Sequence, residues 1–182
     1  MFQELSQGAS SNGMVLPVTD IFSNGVIATG YAANTQSGQR NPTSATYTSA
    51  SISNGKILTS IQKNSGHSFY GLTFSNSSAT FNKCATLVFH VSSFSSNDTS
   101  NGKGVLYVGS VYQGNTSGIS NNDDSIYVSN TGYYFVQLRS YFNNSNPNKY
   151  CGVGVYATNY SASVNVAMEV DYIGLLQTIS IW

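Results

Sequence analysis

The sequence predicts an all-β fold, a single-domain antiparallel β-sandwich, on three observations. Short runs rich in Val, Ile, Thr, Tyr and Phe recur along the 182 residues, and Asn-Gly or Gly-rich breaks separate them. No window of helical length carries an apolar stripe of period 3.6 built from good helix formers. Ser, Asn and Thr number 30, 20 and 15, over a third of the chain, and all three oppose helix interiors, through backbone competition or lost rotamer freedom. With 13 Tyr and 9 Phe, there is enough aromatic surface for one core of the size this length needs.

Taken in order, residues 1–20 alternate polar stretches with isolated apolar residues, and Pro17 interrupts the run from Met14 to Val18. They read as an N-terminal arm or first edge strand ahead of a sandwich domain over 21–182. Helix is confined to a turn or two, near Asp20–Ser23 or within 76–83. The dipeptides Asn24-Gly25, Asn54-Gly55 and Asn101-Gly102 suit tight hairpin loops, whose central residues take positive φ. Strands are expected over 26–31, 45–52, 56–62, 68–74, 85–92, 104–112, 125–129, 132–141, 151–157 and 163–173.

Phase assigns faces where alternation is clean. Val164, Val166, Met168, Val170 and Tyr172 fall in one phase, against Asn165, Ala167, Glu169 and Asp171 in the other. Leu87, Phe89 and Val91 oppose Thr86, Val88 and His90, and Tyr134, Val136 and Leu138 oppose Phe135, Gln137 and Arg139. Val88 and Phe135 are apolar on the second face, which implies two-sided burial or an intersubunit contact. Gly152 and Gly154 flank Val153 and allow close backbone approach or a bulge. Gly174 reads as a break in the last long strand.

Seven Lys+Arg against seven Asp+Glu leave no net charge, and only 8% of the chain is charged. There is no electrostatic footprint for nucleic acid or an anionic membrane. The N-terminus carries an acid at Glu4 and no basic region before an apolar core, so no secretory signal is read and synthesis in a cytosol is expected. Cys84 and Cys151 are too few for a disulfide framework and are expected as free, buried thiols. Sequons at Asn76, Asn97, Asn115, Asn143 and Asn159 follow from composition alone.

Hydrolytic nucleophile motifs, the P-loop, dinucleotide fingerprints and His-x-x-x-His zinc signatures are missing. No cofactor and no metal is expected. His90 lies within the apolar run ATLVFHV as a structural or interface imidazole, and His67 stands beside a turn. Among the acids, Asp123 and Asp124 sit in an expected loop without the spaced ligand pattern of a calcium site. Asp98 is isolated, and Glu169 and Asp171 share one wet strand face. Nothing nominates a carboxylate pair of the kind glycoside hydrolysis needs, and the expectation is a protein that is not an enzyme. What remains is a surface suited to binding without charge. Tyr gives large contact area at small rotamer cost, and with Ser and Asn it makes an adaptable hydrogen-bonding surface. Tyr112, Asn115, Tyr133, Tyr141, Asn144, Tyr156, Asn159 and Tyr160 are the candidate ligand-binding residues, suited to sugars, whose hydroxyl edges and weakly apolar faces suit amides and aromatic rings.

The runs KCATLVFHVSSF, GKGVLYVGSVY, SNTGYYFVQL and VNVAMEVDYIGLL resemble strands of the jelly-roll modules at bacteriophage tail-fibre tips, baseplates and virion decorations. They also resemble the related galactose-binding, carbohydrate-module sandwich. The resemblance spans residues 26–176 and implies a jelly-roll topology in which VDYIGLL returns beside the first strand. It further implies a non-enzymatic virion component acting in assembly and host-glycan binding, made in the host cytoplasm. Its partners would be other virion proteins and copies of itself, in a trimer or larger. A free carbohydrate-binding module is the second reading, and a glycan depolymerase the third.

Overall fold

The computed structural model describes residues 18–39, 45–63, 66–75, 86–110, 124–137, 149–159 and 163–176. Twelve strands run through them: β1 (Val18–Ser23), β2 (Val26–Ile27), β3 (Ala32–Gln39), β4 (Ala45–Ser53), β5 (Lys56–Lys63), β6 (Gly66–Ser75), β7 (Thr86–Ser96), β8 (Gly102–Ser110), β9 (Asp124–Val128), β10 (Gly132–Gln137), β11 (Lys149–Asn159) and β12 (Val164–Leu176). All pair antiparallel and divide into two sheets. The first sheet runs β10-β7-β12. The far edge of β12 is then shared, β5 pairing with its first half and β1 with its second, and β4 and β2 lie outside these. The second sheet runs β3-β6-β11-β8-β9. The molecule is the antiparallel sandwich of jelly-roll type that the sequence predicts, and β12 does return beside β1.

The core lies between the sheets. From the first come Phe22, Leu87, Phe89, Val91, Met168, Val170 and Ile173, and from the second Leu72, Phe74, Leu106, Val153 and Val155, all buried. Phe22 and Phe74 meet across the gap with ring centroids 6.0 Å apart. Full burial of side chains of this size contributes about 1.5–3 kcal/mol each, so shape complementarity at this seam sets the sheet spacing. Cys151 is a free, buried thiol in the same core, and burial pushes its pKa up to about 12. Cys84 lies outside the described residues.

The turn chemistry holds at two of the three expected Asn-Gly loops and is corrected at Asn101-Gly102, which has no positive φ and joins β7 of the first sheet to β8 of the second in place of a hairpin. Asn24 and Asn54 have φ of 51°, with Gly25 and Gly55 at 80° and 79°, as hairpin loops that match strand twist require. The turn at Asn101-Gly102 is tied by Asp98, whose Oδ1 accepts from the Ser100 and Asn101 amides and whose Oδ2 accepts from the Asn101 side chain. The Asn97 amide is spent locally as well, donating to the Ser163 carbonyl and accepting from the Asn165 amide.

Four expectations are corrected. Asp20–Ser23 is strand, part of β1, and not a helical turn; Val18, Thr19 and Asp20 belong to that same strand. The polar stretch AANTQSGQ, which carries no strand signal, forms β3 because its backbone pairs along β6. Gly174 does not end the last strand, since β12 runs on to Leu176. Asp124 opens β9, opposite Val108, in place of a loop; Asp123 lies outside the described residues.

Candidate functional site

The outer face of the first sheet is shaped by irregularities in three adjoining strands. Between β7 and β12, Glu169 faces Ser93 and Val170 faces Val91, so Ser92 is passed over; Tyr172 then faces His90, so Asp171 is passed over. Strict alternation would turn Tyr172 inward with Val170. The extra residue at Asp171 resets the phase: Val170 and Ile173 are buried, while Asp171 and Tyr172 both reach the outside. The expectation that Tyr172 shares the buried phase is therefore corrected. A matching irregularity between Asp20 and Phe22 in β1 keeps Asp20 opposite Gly174.

These displacements gather a cluster. His90 Nδ1 lies 2.6 Å from Asp171 Oδ1. The His90 ring stacks on Tyr133 of β10, its cross-strand neighbour, at a centroid distance of 4.3 Å and an interplanar angle of 31°. On the other side of β7, Tyr172 donates its hydroxyl to Asp20 Oδ1 at 2.9 Å. Its ring lies over Gly174, where any Cβ would meet the ring and hydroxyl. This contact is the reason for the glycine. Burial first, and then the hydrogen bond and charge of Asp20, hold the Tyr172 phenol well above its usual range. Burial and the Asp171 charge raise that of Tyr133. Lys56 donates to Glu169 Oε2 at 2.6 Å, a bond that raises the Lys56 pKa and keeps it charged.

Two aromatic rings remain open on this face. Phe135, opposite Val88, is 61% exposed, and Tyr133 is 36% exposed despite its stack on His90. Beneath them Val88 is only 1% exposed, which accounts for its apolar character on the outer phase. Further along β12, past the Lys56–Glu169 pair, a shallow groove of about 510 Å³ is lined by Ser60, Gln62, Ser95, Asn97, Asn165 and Ala167. From Asn165 to Gly174 this face extends about 30 Å, at roughly 3.3 Å per residue.

Of the candidate binding residues, Tyr133 is in this cluster. Tyr156 is on the other sheet, where its ring lies 5.7 Å from Tyr127; Tyr133 and Tyr156 are not brought together. Asn159 ends β11, paired through its backbone with Gly66. Tyr112, Asn115, Tyr141, Asn144 and Tyr160 lie outside the described residues. Sequence reasoning did not select Phe135, Tyr127 or Asp20 for binding. The Tyr-Phe pair at 133 and 135, two apart in an outward phase, carried the signal for Phe135. Asp20 could not be found, because its position depends on the register between β1 and β12. Among the described residues no group of three or more His, Cys, Asp or Glu gathers to hold a metal ion.

No family model and no curated protein matches the chain. Solved structures do. A family 11 carbohydrate-binding module from Clostridium thermocellum, in complex with a β-1,3-1,4-mixed-linked tetrasaccharide, is 10% identical, with a TM-score of 0.46 over 92% of this chain and 100% of that one. The family 11 module of the cellulosomal cellulase Lic26A-Cel5E of the same organism is 9% identical, with a TM-score of 0.46 over 92% and 99%. The solution structure of CtCBM11 is 12% identical, with a TM-score of 0.35 over 92% of each chain. At such identity no residue of this chain is matched to one of theirs. These matches are carbohydrate-binding modules and not virion proteins. The expectation of a phage tail or capsid component, located in a virion and partnered by other virion proteins and its own copies, is corrected accordingly. The strands that suggested it carry the Tyr- and Val-rich alternation common to jelly-roll sandwiches, which does not distinguish a virion module from a carbohydrate module.

Proposed function

We propose that the chain is a non-enzymatic carbohydrate-binding module that holds an uncharged saccharide on the outer face of its first sheet. One observation carries the reading: the Tyr133 ring stands open to solvent while its position is fixed by His90, itself held by Asp171. A sugar needs an aromatic surface for its apolar face and anchored hydrogen-bonding groups around it for its hydroxyls. Phe135 widens the aromatic surface. Asp171, Glu169 and Asp20 supply acceptors, and Lys56 a donor, each held by a partner on a neighbouring strand. Ordered groups of this kind lose little side-chain freedom on binding. The Ser- and Asn-lined groove along β12 extends the same surface for a longer chain.

The carboxylates do not support hydrolysis. Glu169 and Asp171 are two apart on one strand, committed to Lys56 and His90, whereas glycoside hydrolysis uses two carboxyl groups flanking the scissile bond. Calorimetry against soluble β-glucans, xylans and galactans tests the function. Binding without release of reducing ends is expected, weakened about tenfold or more by Tyr133→Ala, as for a central aromatic anchor. Absence of binding across the panel, or an undiminished affinity in the variant, contradicts the proposal.

A further inference from the structure

We infer that Asn24 and Asn54 are sites of spontaneous deamidation, whereas Asn101, in the same local sequence, is held against it. Ser-Asn-Gly recurs at 11–13, 23–25, 53–55 and 100–102, the first outside the described residues, and Ser-Asn-Gly-Lys stands twice, at 53–56 and 100–103. The reaction needs no enzyme, and water is its co-reactant. The glycine amide nitrogen loses its proton to hydroxide and attacks Cγ of the asparagine. The bond from that nitrogen to Cγ forms, the bond from Cγ to Nδ2 breaks, and Nδ2 leaves as ammonia. Water opens the resulting succinimide ring at either carbonyl, to Asp or to isoaspartate, in which the main chain runs through the side chain and is one carbon longer. A glycine next in the chain leaves the attacking nitrogen unscreened by any side chain.

The described turns hold these atoms differently. The Asn101 side chain donates to Asp98 Oδ2 at 2.7 Å, the Gly102 N–H donates to the Asp98 carbonyl at 2.7 Å, and the Asn101 carbonyl accepts from the Thr158 amide. Leaving group and nucleophile are both committed, and Gly102 is buried. Asn24 and Asn54 are exposed. Asn24 makes only a long donation to Ser23 Oγ, at 3.4 Å, and Asn54 makes no side-chain bond. Both are left-handed, with φ of 51°, which turns the next residue's nitrogen away from the side chain. The ring therefore closes when the turn opens, and the rate follows local opening. Opening is easier at Asn24, whose hairpin is paired at Phe22–Ile27 and Ser23–Val26 and by the Ala28 N–H to the Ile21 carbonyl. Asn54 joins strands of nine and eight residues.

The two tips meet. A Cβ at Gly25 would lie 2.9 Å from Gly55 Cα, where the edge of β12 passes from β5, with Ile57 opposite Val170, to β1, with Ser23 opposite Tyr172. Isoaspartate at Asn24 lengthens the main chain against this contact, and each conversion adds a negative charge to a chain that has none net.

To test this, the full chain is kept at mildly alkaline pH, folded and in urea, and the converted fraction at each asparagine is followed by peptide mass spectrometry. In urea the two Ser-Asn-Gly-Lys segments are expected to react alike. In the folded chain Asn101 is expected to react about tenfold or more slower than Asn54, because its charge-assisted bond to Asp98 must break first, and Asn24 is expected to react fastest. In Asp98→Ala, checked for folding by circular dichroism, the Asn101 rate is expected to rise toward that of Asn54 while Asn24 keeps its own. Equal folded rates at Asn54 and Asn101, or a lead at Asn101, overturn the proposal, as does an Asn101 rate unmoved in the folded variant. Should the variant not fold, the comparison within the native chain decides alone.

Discussion

The outer faces of the two sheets both carry exposed aromatic rings, and they differ in what surrounds those rings. On the second sheet Tyr127, 57% exposed, leans on Tyr156. Near it lie Val105, opposite Tyr127 and fully buried, and Phe69, packed over Gly154. The described side chains of that face include Lys103, bonded to Ser129, and no carboxylate. On the first sheet Tyr133 and Phe135 share a face with Asp20, Glu169 and Asp171, each bound to a partner from another strand. Three of the chain's seven acids stand on this one face. An exposed ring alone is ordinary in a sandwich. An exposed ring ringed by immobilised hydrogen-bonding groups is an arrangement for recognition, which is why the first sheet is assigned the site.

The largest effect should come where the comparison does not apply, in the core that both sheets share. Phe89 is buried between the sheets, whereas Phe135, on the adjoining strand and the opposite face, is open. Phe89→Ala is expected to cost about 3–5 kcal/mol in urea unfolding, and Phe135→Ala to stay within about 0.5 kcal/mol while weakening saccharide binding. Next come the two glycines that lie under aromatic rings, Gly174 beneath Tyr172 and Gly154 beneath Phe69. Alanine at 174 forces the Tyr172 ring aside and alanine at 154 meets both the Phe69 ring and the Tyr70 carbonyl, each at about 1–3 kcal/mol, and only Gly174→Ala should also reduce affinity, because Tyr172 holds Asp20.

A pH-dependent effect separates the faces from the interior. The Cys151 thiol keeps its proton to about 12, against 9.0 for an ordinary thiol. Between these values the unfolded chain binds fewer protons than the folded one. Its contribution is therefore intact below about pH 9 and lost as pH rises toward 12. Cys151→Ala should remove that share of the alkaline loss without changing saccharide binding. A small effect is expected from Tyr172→Phe, which deletes one hydrogen bond to Asp20 at about 1 kcal/mol, measured by thermal unfolding alongside affinity.

How far these faces were legible in the sequence depends on where phase is local. Leu87, Phe89 and Val91, and β12 as far as Val170, announce their buried side by simple alternation. The reading fails at Asp171, where the added residue shifts everything beyond it, and no local signal marks that residue because it arises from pairing with β7. Gly174 looked like a strand breaker for the same reason: the ring it accommodates is identified only once Tyr172 is known to point outward. Strand β3 escaped because its side chains are polar and its membership in the sheet is decided by backbone bonds to β6. Tyr133 and Tyr156 were grouped by composition, yet which sheet each strand joins is set by long-range partners that the sequence does not name.

The central claim, that one face recognises and the other does not, is tested most directly by NMR mapping of amide and ring signals during titration with a mixed-linked β-1,3-1,4 tetrasaccharide. The account predicts shifts concentrated at Tyr133, Phe135, His90, Asp171 and Tyr172, with Tyr127 and Tyr156 unmoved. Shifts centred on Tyr127 and Tyr156, with the Tyr133 cluster silent, would contradict it.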